Sequence, residues 1–269
     1  MIEFDHADLA INAQASLLAL NRSTIYHKRH LSDDTELANK IHEIYLKSKC
    51  IYGYRKITAA LNILGVIVNR KKVARIMRKM KIVGLYPRKR INTTILNPNQ
   101  KFAYLLKELI ISFPNQVWAT DITYIALPSG FLYLVAIIDI YSRYILDHKI
   151  AVSLDAEFCC RCLADALKKE CQPQIFNSDQ GSQFTSNDFI EILQKNQIQI
   201  SMDGKGRCFD NIFVERLWRT IKQEDVYYQR YETVAEAKKC LGEFILWYNY
   251  ERLHQSLDYR TPNQVYRGL

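Results

Sequence analysis

The sequence predicts an α/β protein: a mixed β-sheet with helices on its faces, preceded by a small all-α region. Three observations lead there. Five short runs of apolar or alternating character, at 117–126, 131–138, 144–150, 174–177 and 197–201, have strand length, and helical patterns separate the later ones. Residues 35–84 instead show three successive amphipathic helical stripes. Charge divides along the same line. Residues 40–107 hold 17 Lys or Arg against one acid, Glu43, whereas residues 116–269 hold 17 basic and 20 acidic residues. A chain of 269 residues accommodates one domain of ordinary size and a smaller one. The expected division is a helical, helix-turn-helix-like region at 1–85, a basic linker at 86–112, and the α/β core with a C-terminal helix and tail at 113–269.

Taken in order, residues 7–28 place Leu9, Ala13, Leu17 and Leu18 on one helix up to a break at 20–23, where Ser23 or Thr24 caps a second short helix. Leu37, Ile41, Ile44 and Tyr45 line the next helix. Ile57, Ala60, Leu61 and Leu64 line the one after, which ends at Gly65. Asn69 caps the third, lined by Val73, Ile76, Met77 and Met80. The other face of that third helix carries Lys71, Lys72, Arg75, Arg78 and Lys79. Charged helix faces are usually just solvated. Here so many bases with so few acids favour nucleic-acid contact, and a basic third helix suits entry into the major groove.

Pro87, Arg88-Lys89-Arg90, Pro98 and Pro114 give 86–115 loop composition. In the core, Pro128-Ser129-Gly130 is a hairpin turn, and 131–138 is so nearly apolar that it belongs inside the sheet, covered on both faces. Asp155 caps a helix reaching Lys169, and a second helix spans 187–195. A third has Val214, Leu217, Trp218 and Ile221 as its inward stripe, and a last amphipathic helix occupies 232–249.

Three acids interrupt this pattern. Asp121 lies inside the first strand, and Asp179 follows the fourth, just before the turn at Gly181. Glu215 shares an outward helix stripe with Arg219 and Lys222, at i, i+4 and i+7. A carboxylate in a buried strand is costly unless something pairs with it. Converging carboxylates without Cys or His take hard divalent cations such as magnesium. Two such ions roughly 3.5–4 Å apart suit in-line displacement at phosphorus. For any single acid a strand-end or surface role is commoner; the three together favour the metal reading.

The order Asp121, Asp179, Glu215, with 35 residues between the last two, resembles the DDE core of retroviral integrases and insertion-sequence transposases. The stretches WATDITYI, SDQGSQF, GRCFDNIFVERLWRTIKQE and YNYERLHQSLDYRTPNQVY resemble more closely the second-reading-frame product of the IS-three family of bacterial insertion sequences. The resemblance runs from about residue 7 to the C-terminus. It implies a ribonuclease H-like architecture, with Asp121, Asp179 and Glu215 as catalytic residues holding two magnesium or manganese ions. It implies a transposase that cuts and joins double-stranded DNA, at element ends and target, as a homo-oligomer on DNA and as part of a larger or fused transposase in which an upstream-frame product supplies end recognition. The segments YGYRKITAALN and VNRKKVARIMRK resemble the family's DNA-binding helices. Lys222 matches a basic residue seven positions after the family's glutamate and is expected to contact DNA, with Arg219 beside it. Lys205 and Arg207 lie in a loop, MDGKGRC, resembling the family's substrate-facing segment, from which Asp203 departs.

The remaining features are read more plainly. Seven cysteines are odd in number, and Cys159, Cys160 and Cys162 share one predicted helix with no His near, so they are expected to pack as free thiols. No run reaches 18 apolar residues and the first 30 residues lack a signal-peptide pattern. A cytosolic protein without a membrane partner is expected, associated with the nucleoid when bound. Asp139 reads as a strand-end turn acid and Asp210-Asn211 as the cap of the Glu215 helix. Arg252 and His254 are either DNA- or metal-adjacent groups or a hydrogen-bonded clamp closing the core. Two other functions compete: a repurposed DNA-binding protein with a dead core, and a structure-selective nuclease of the same fold.

Overall fold

A computed structural model describes residues 9–21, 34–85, 102–203 and 211–269. The chain divides into two compact units, residues 1–40 and 41–269. In the first, α1 (Ile11–Leu17) buries Gln14 and Ala15 rather than the expected leucines; Leu17 is 74% exposed. A helix of two turns is too short to hold a continuous stripe, and Gln14 Nε2 satisfies itself on the Leu9 carbonyl at 2.8 Å. The second short helix expected at Ser23 or Thr24 lies outside the described residues.

The helix α2 (Thr35–Lys47) crosses the boundary between the units, and α3 (Tyr54–Ile63) and α4 (Arg70–Lys79) follow. Their stripes bury Ile41 and Ile44, then Ile57 and Leu61, then Val73, Ile76 and Met77. Leu64 departs from expectation. It is the C-cap of α3 and 69% exposed, because the helix ends one residue before it and the chain turns at Gly65, where φ is +79°. Asn69 caps α4 as expected, its side chain accepting from the Lys71 N–H at 2.8 Å.

The five-stranded sheet has the order β3-β2-β1-β4-β5: β1 (Val117–Leu127), β2 (Gly130–Asp139), β3 (Ile145–Ala151), β4 (Ile175–Ser178) and β5 (Gln199–Met202). The first three form an antiparallel meander, and β4 joins β1 in parallel, as does β5 to β4. This is the ribonuclease H-like, mixed-sheet architecture. The apolar run of β2 is buried on both faces from Leu134 to Ile138, and the strand ends at the buried Asp139. The helices α5 (Ala156–Lys169) and α6 (Asn187–Lys195) are capped by Asp155 and Ser186. They enclose a core of Trp118, Ile137, Phe158, Phe176, Phe189 and their neighbours. Cys159 and Cys162 are part of it. Burial pushes the Cys159 thiol up to about 12 and raises Cys162 as well, which disfavours the thiolate and suits packing.

Beyond the sheet, α7 (Ile212–Ile221) packs against β1 and runs on through a π turn, Lys222–Val226, into the single turn α8 (Tyr227–Gln229). The helix α9 (Val234–Tyr250) is stitched to β3 by Asn249, whose amide both donates to and accepts from the Ile145 backbone at 2.9 Å. A final helix, α10 (Pro262–Arg267), carries a capping box formed by Thr261 and Gln264. Asp139 is the turn acid the sequence indicates: fully buried, it accepts from Asn115 N, Ser142 N and Ser142 Oγ at 2.8, 2.7 and 2.6 Å. Among the described residues, no helix is long and apolar enough to cross a membrane.

Candidate active site

The register of the parallel pair β1–β4 sets the site. Ala119 pairs with Asn177, so Asp121 and Asp179 each lie two residues beyond the same rung. Asp121 stays within β1, while β4 ends at Ser178 and leaves Asp179 at the start of a loop. Glu215 lies in the first turn of α7, the helix packed on β1. The sheet and one helix thereby bring Asp179 and Glu215, from distant points of the chain, near enough for their charges to act on Asp121.

Each carboxylate is held differently. Asp121 Oδ1 accepts from the Ile122 N–H at 2.8 Å, and Oδ2 accepts from the Trp218 indole N–H at 2.9 Å. Asp179 Oδ1 accepts from the Gly181 N–H at 2.9 Å. Glu215 remains exposed on α7. Burial, then the charge of Asp179 and more weakly that of Glu215, push Asp121 up to about 7. Burial also raises Asp179, against the Gly181 hydrogen bond, and raises Glu215, against the attraction of Arg219. Asp121, opposed by burial and by the charges of Asp179 and Glu215, calls for positive charge beside it. Their oxygens are the hard donors that magnesium or manganese prefers. Among the described residues, no three His, Cys, Asp or Glu side chains converge closely enough to cage an ion. The three carboxylates suit a divalent cation by donor type alone; as placed they form no closed cage, and both Asp121 oxygens accept hydrogen bonds within the protein.

Several neighbours escaped the sequence reading. Trp218, expected only as part of the inward stripe of α7, also holds Asp121 through its indole N–H; a buried Trp needs a partner for that group, which was the available signal. Asn211 occupies the N-cap position of α7 but does not cap it. Its Nδ2 instead reaches the Thr120 carbonyl at 3.2 Å, tying the start of α7 to the residue before Asp121. A cap needs only local backbone, whereas this bond needs β1 alongside, which no local pattern announces. Gly181 lies so near Asp179 that a Cβ there would stand 2.9 Å from Oδ1. Asp203, the departure noted in the basic loop, accepts from Asn177 Nδ2 at 2.8 Å and ties the ends of β4 and β5 together.

The expected DNA contacts fall in three places. On α4, Lys71, Arg75, Arg78 and Lys79 are exposed and Lys72 is half-buried, opposite the buried Val73, Ile76 and Met77. Arg219 is exposed one turn after Glu215. Lys222 lies in the π turn with its ammonium 4.8 Å from the centre of the exposed Tyr124 ring, so the helix face it was expected to share with Glu215 is altered there. Lys205, Arg207 and Asp210 lie outside the described residues. Arg252 and His254 belong to a clamp: Arg252 forks onto Glu224 at 2.7 and 2.6 Å and meets His254 Nε2 at 2.9 Å. Tyr52 Oη closes it by accepting from the Leu253 N–H at 2.8 Å.

A ribonuclease H-like mixed sheet joined to a basic helical region is the architecture of the integrase-core class of polynucleotidyl transferases. Family models agree: "Integrase core domain" matches residues 112–208 and, as a second model, 196–262, and "HTH-like domain" matches 32–90. The transposase for insertion sequence element IS904 of Lactococcus lactis is 34% identical over 249 residues, covering 88% of this chain and 96% of that protein. The putative transposase InsK for IS150 of Escherichia coli is 30% identical over 256 residues, covering 91% and 90%. A simian T-cell lymphotropic virus intasome structure, 15% identical, overlays with a TM-score of 0.51 over 84% of this chain and 74% of that one, a likeness of fold. The chain belongs to the bacterial insertion-sequence transposases of the IS-three type.

Proposed function

We propose that this transposase cuts DNA at the ends of its element and joins the freed 3′-hydroxyl to target DNA, with Asp121, Asp179 and Glu215 as the catalytic carboxylates. The observation that carries this is the repulsive cluster itself. Asp121 is raised to about 7 by burial and by its two acidic neighbours, a charge arrangement that costs stability and makes sense as a cation site. Asp121, Asp179 and Glu215 would hold two magnesium or manganese ions. Bound there, the ions supply acidity to a water or DNA hydroxyl and stabilise the leaving oxygen. Within the protein, Trp218 and the Ile122 N–H fix the rotation of the Asp121 carboxylate, Gly181 fixes Asp179, and Asn211 holds α7 against β1.

DNA contact extends outward from this centre. Arg219 and Lys222 follow Glu215 on the same helical run, and Lys205 and Arg207 precede it in sequence. The exposed basic face of α4 contacts the duplex apart from the reacting bond, so 1–85 acts as a DNA-gripping region, 86–112 as a basic linker and 113–269 as the cutting and joining core. Working as a homo-oligomer on DNA, alongside an upstream-frame product that recognises the element ends, accords with an integrase-type core.

The test is strand transfer on a labelled duplex carrying the element's ends, with magnesium or manganese, comparing wild type with Glu215→Gln. Joined product from wild type and none from the variant is expected. Cutting that proceeds equally well in both proteins would overturn the assignment of Glu215, and cutting by wild type without joining would leave a nuclease instead of a transposase.

A further inference from the structure

Outside the carboxylate cluster, a cavity of about 500 Å³ opens at the start of α3, lined by Gly53, Tyr54, Arg55 and Lys56, with Leu85, Glu224 and Gln255 on its other sides. Its charge is one-sided. Glu224, the acid in its wall, is already neutralised by the fork from Arg252. Lys56 is half-buried and forms no hydrogen bond or ion pair among the described residues; its ammonium stands 5.0 Å over the Tyr52 ring. Arg252 repels it, Glu224 attracts it, and His254, held neutral by burial and by the cations around it, offers no negative charge. Burial of a cation without a counter-charge is unfavourable, so a lysine kept in such a place is paired in its working state.

The walls are joined through backbone contacts. Gly84 packs backbone against backbone on Gly53, where a Cβ would come within 2.5 Å of the Gly53 Cα, and the Leu85 N–H bonds the Ile51 carbonyl at 3.2 Å. Gly53 is the N-cap of α3 and has no side chain with which to cap the first-turn N–H groups, which favours negative charge at that end.

We propose that this cavity seats a phosphodiester group of the DNA on which the transposase acts, with Lys56 as its half-buried counter-charge and Arg55 at the rim. The site rests on the DNA-transposase reading. Because its walls come from α3 and from Glu224 and Gln255 of the core, one seated phosphate is gripped by the helical region and the core together. Burial and Arg252 lower Lys56 to about 7 in the free protein. The seated anion restores its proton, so binding takes up a proton above that pH.

The experiment measures anisotropy of a labelled duplex of mixed sequence with the full chain, across potassium chloride concentrations and pH, for wild type, Lys56→Met and Lys56→Arg. Lys56→Met is expected to weaken binding by about tenfold and to lower the salt slope by about 1, while Lys56→Arg keeps the slope. Wild-type affinity is expected to fall as pH rises above 7, and this dependence disappears in Lys56→Met. Lys56→Met should melt no lower than wild type, since it removes an unpaired, half-buried charge. Equal affinity and slope in wild type and Lys56→Met would overturn the inference, and so would a Lys56→Met protein that melts far below wild type, because the lysine would then be structural. Inorganic phosphate that protects Lys56 from acylation without competing with the duplex would mark a free-anion site and overturn it as well. A wild type that binds no duplex at all would instead sink the DNA reading on which it rests.

Discussion

The indole N–H of Trp218 donates to Asp121 Oδ2 across 2.9 Å, joining the inward stripe of α7 to the centre of β1. The bond serves two ends. It satisfies a polar group of a buried Trp, and it fixes a carboxylate whose neighbours repel it. Hydrogen bonds to charged groups contribute about 1.5–3 kcal/mol. Trp218→Phe keeps the ring and removes the donor, so cutting at pH 7 should fall by roughly tenfold or more, with folding retained. The pH–rate profile separates this from general damage. Losing a bond that favours the charged form raises Asp121 further and moves the acid limb to higher pH, and an unmoved limb would show that the indole does not govern the carboxylate.

Gly181 leaves Asp179 the room it needs. A methyl group there would stand 2.9 Å from Oδ1, inside normal contact, and would turn the carboxylate from its present direction. Gly181→Ala should reduce strand transfer by at least about tenfold, the order expected for a misplaced catalytic group. Its thermal midpoint should change little, because residue 181 is only half-buried. Single-turnover cutting assays alongside thermal melts test this.

The carboxylate cluster also lowers stability at neutral pH when no cation is present. Asp121 rises from 3.8 to about 7 on folding. Below 3.8 both folded and unfolded states hold the proton and the group contributes nothing. Between the two values only the folded state holds it, so stability falls as pH rises, and above about 7 the full cost, on the order of 4 kcal/mol, is present. In chelator, Asp121→Asn should melt roughly 5–15 °C above wild type at pH 7.5, with the gap shrinking at pH 5. Magnesium should raise the wild-type midpoint more than the variant's. A gap unchanged between the two pH values would refute the account.

The Arg252–Glu224 fork is a buried ion pair, 9% and 14% exposed at its side chains. Removing one partner of such a pair costs about 3–5 kcal/mol. Arg252→Met should therefore melt roughly 10 °C lower than wild type. Arg252→Met with Glu224→Gln should recover part of the loss, because no charge is then left alone. A double variant whose loss equals the sum of the two single losses would show that the pair is not coupled.

Much of this was legible in the residues. Alternating and all-apolar runs marked the five strands, helical stripes marked α2 to α4, and acids placed where apolar residues belong marked Asp121 and Asp179. Side-chain partners across the fold were less legible. Asn211 looks like a cap in sequence, and only the neighbouring β1 shows that it bonds the Thr120 carbonyl instead. Leu64 fits a helical stripe, but the helix stops one residue short of it, because a turn at Gly65 outweighs one more residue's periodicity. The π turn at Lys222–Val226 has no periodic signature. It turns Glu224 toward Arg252, twenty-eight residues later in the chain.

The sequence by itself determined the order of strands and helices and the basic third helix, and it singled out three acids for proposal, because periodicity and charge are local properties of a chain. The tertiary structure alone decided that β4 lies in register beside β1, that Trp218 holds Asp121, and that Lys56 sits in a cavity whose acid is already paired. Those relations join residues far apart in sequence, and their energies depend on burial and distance, which exist only once the chain has folded.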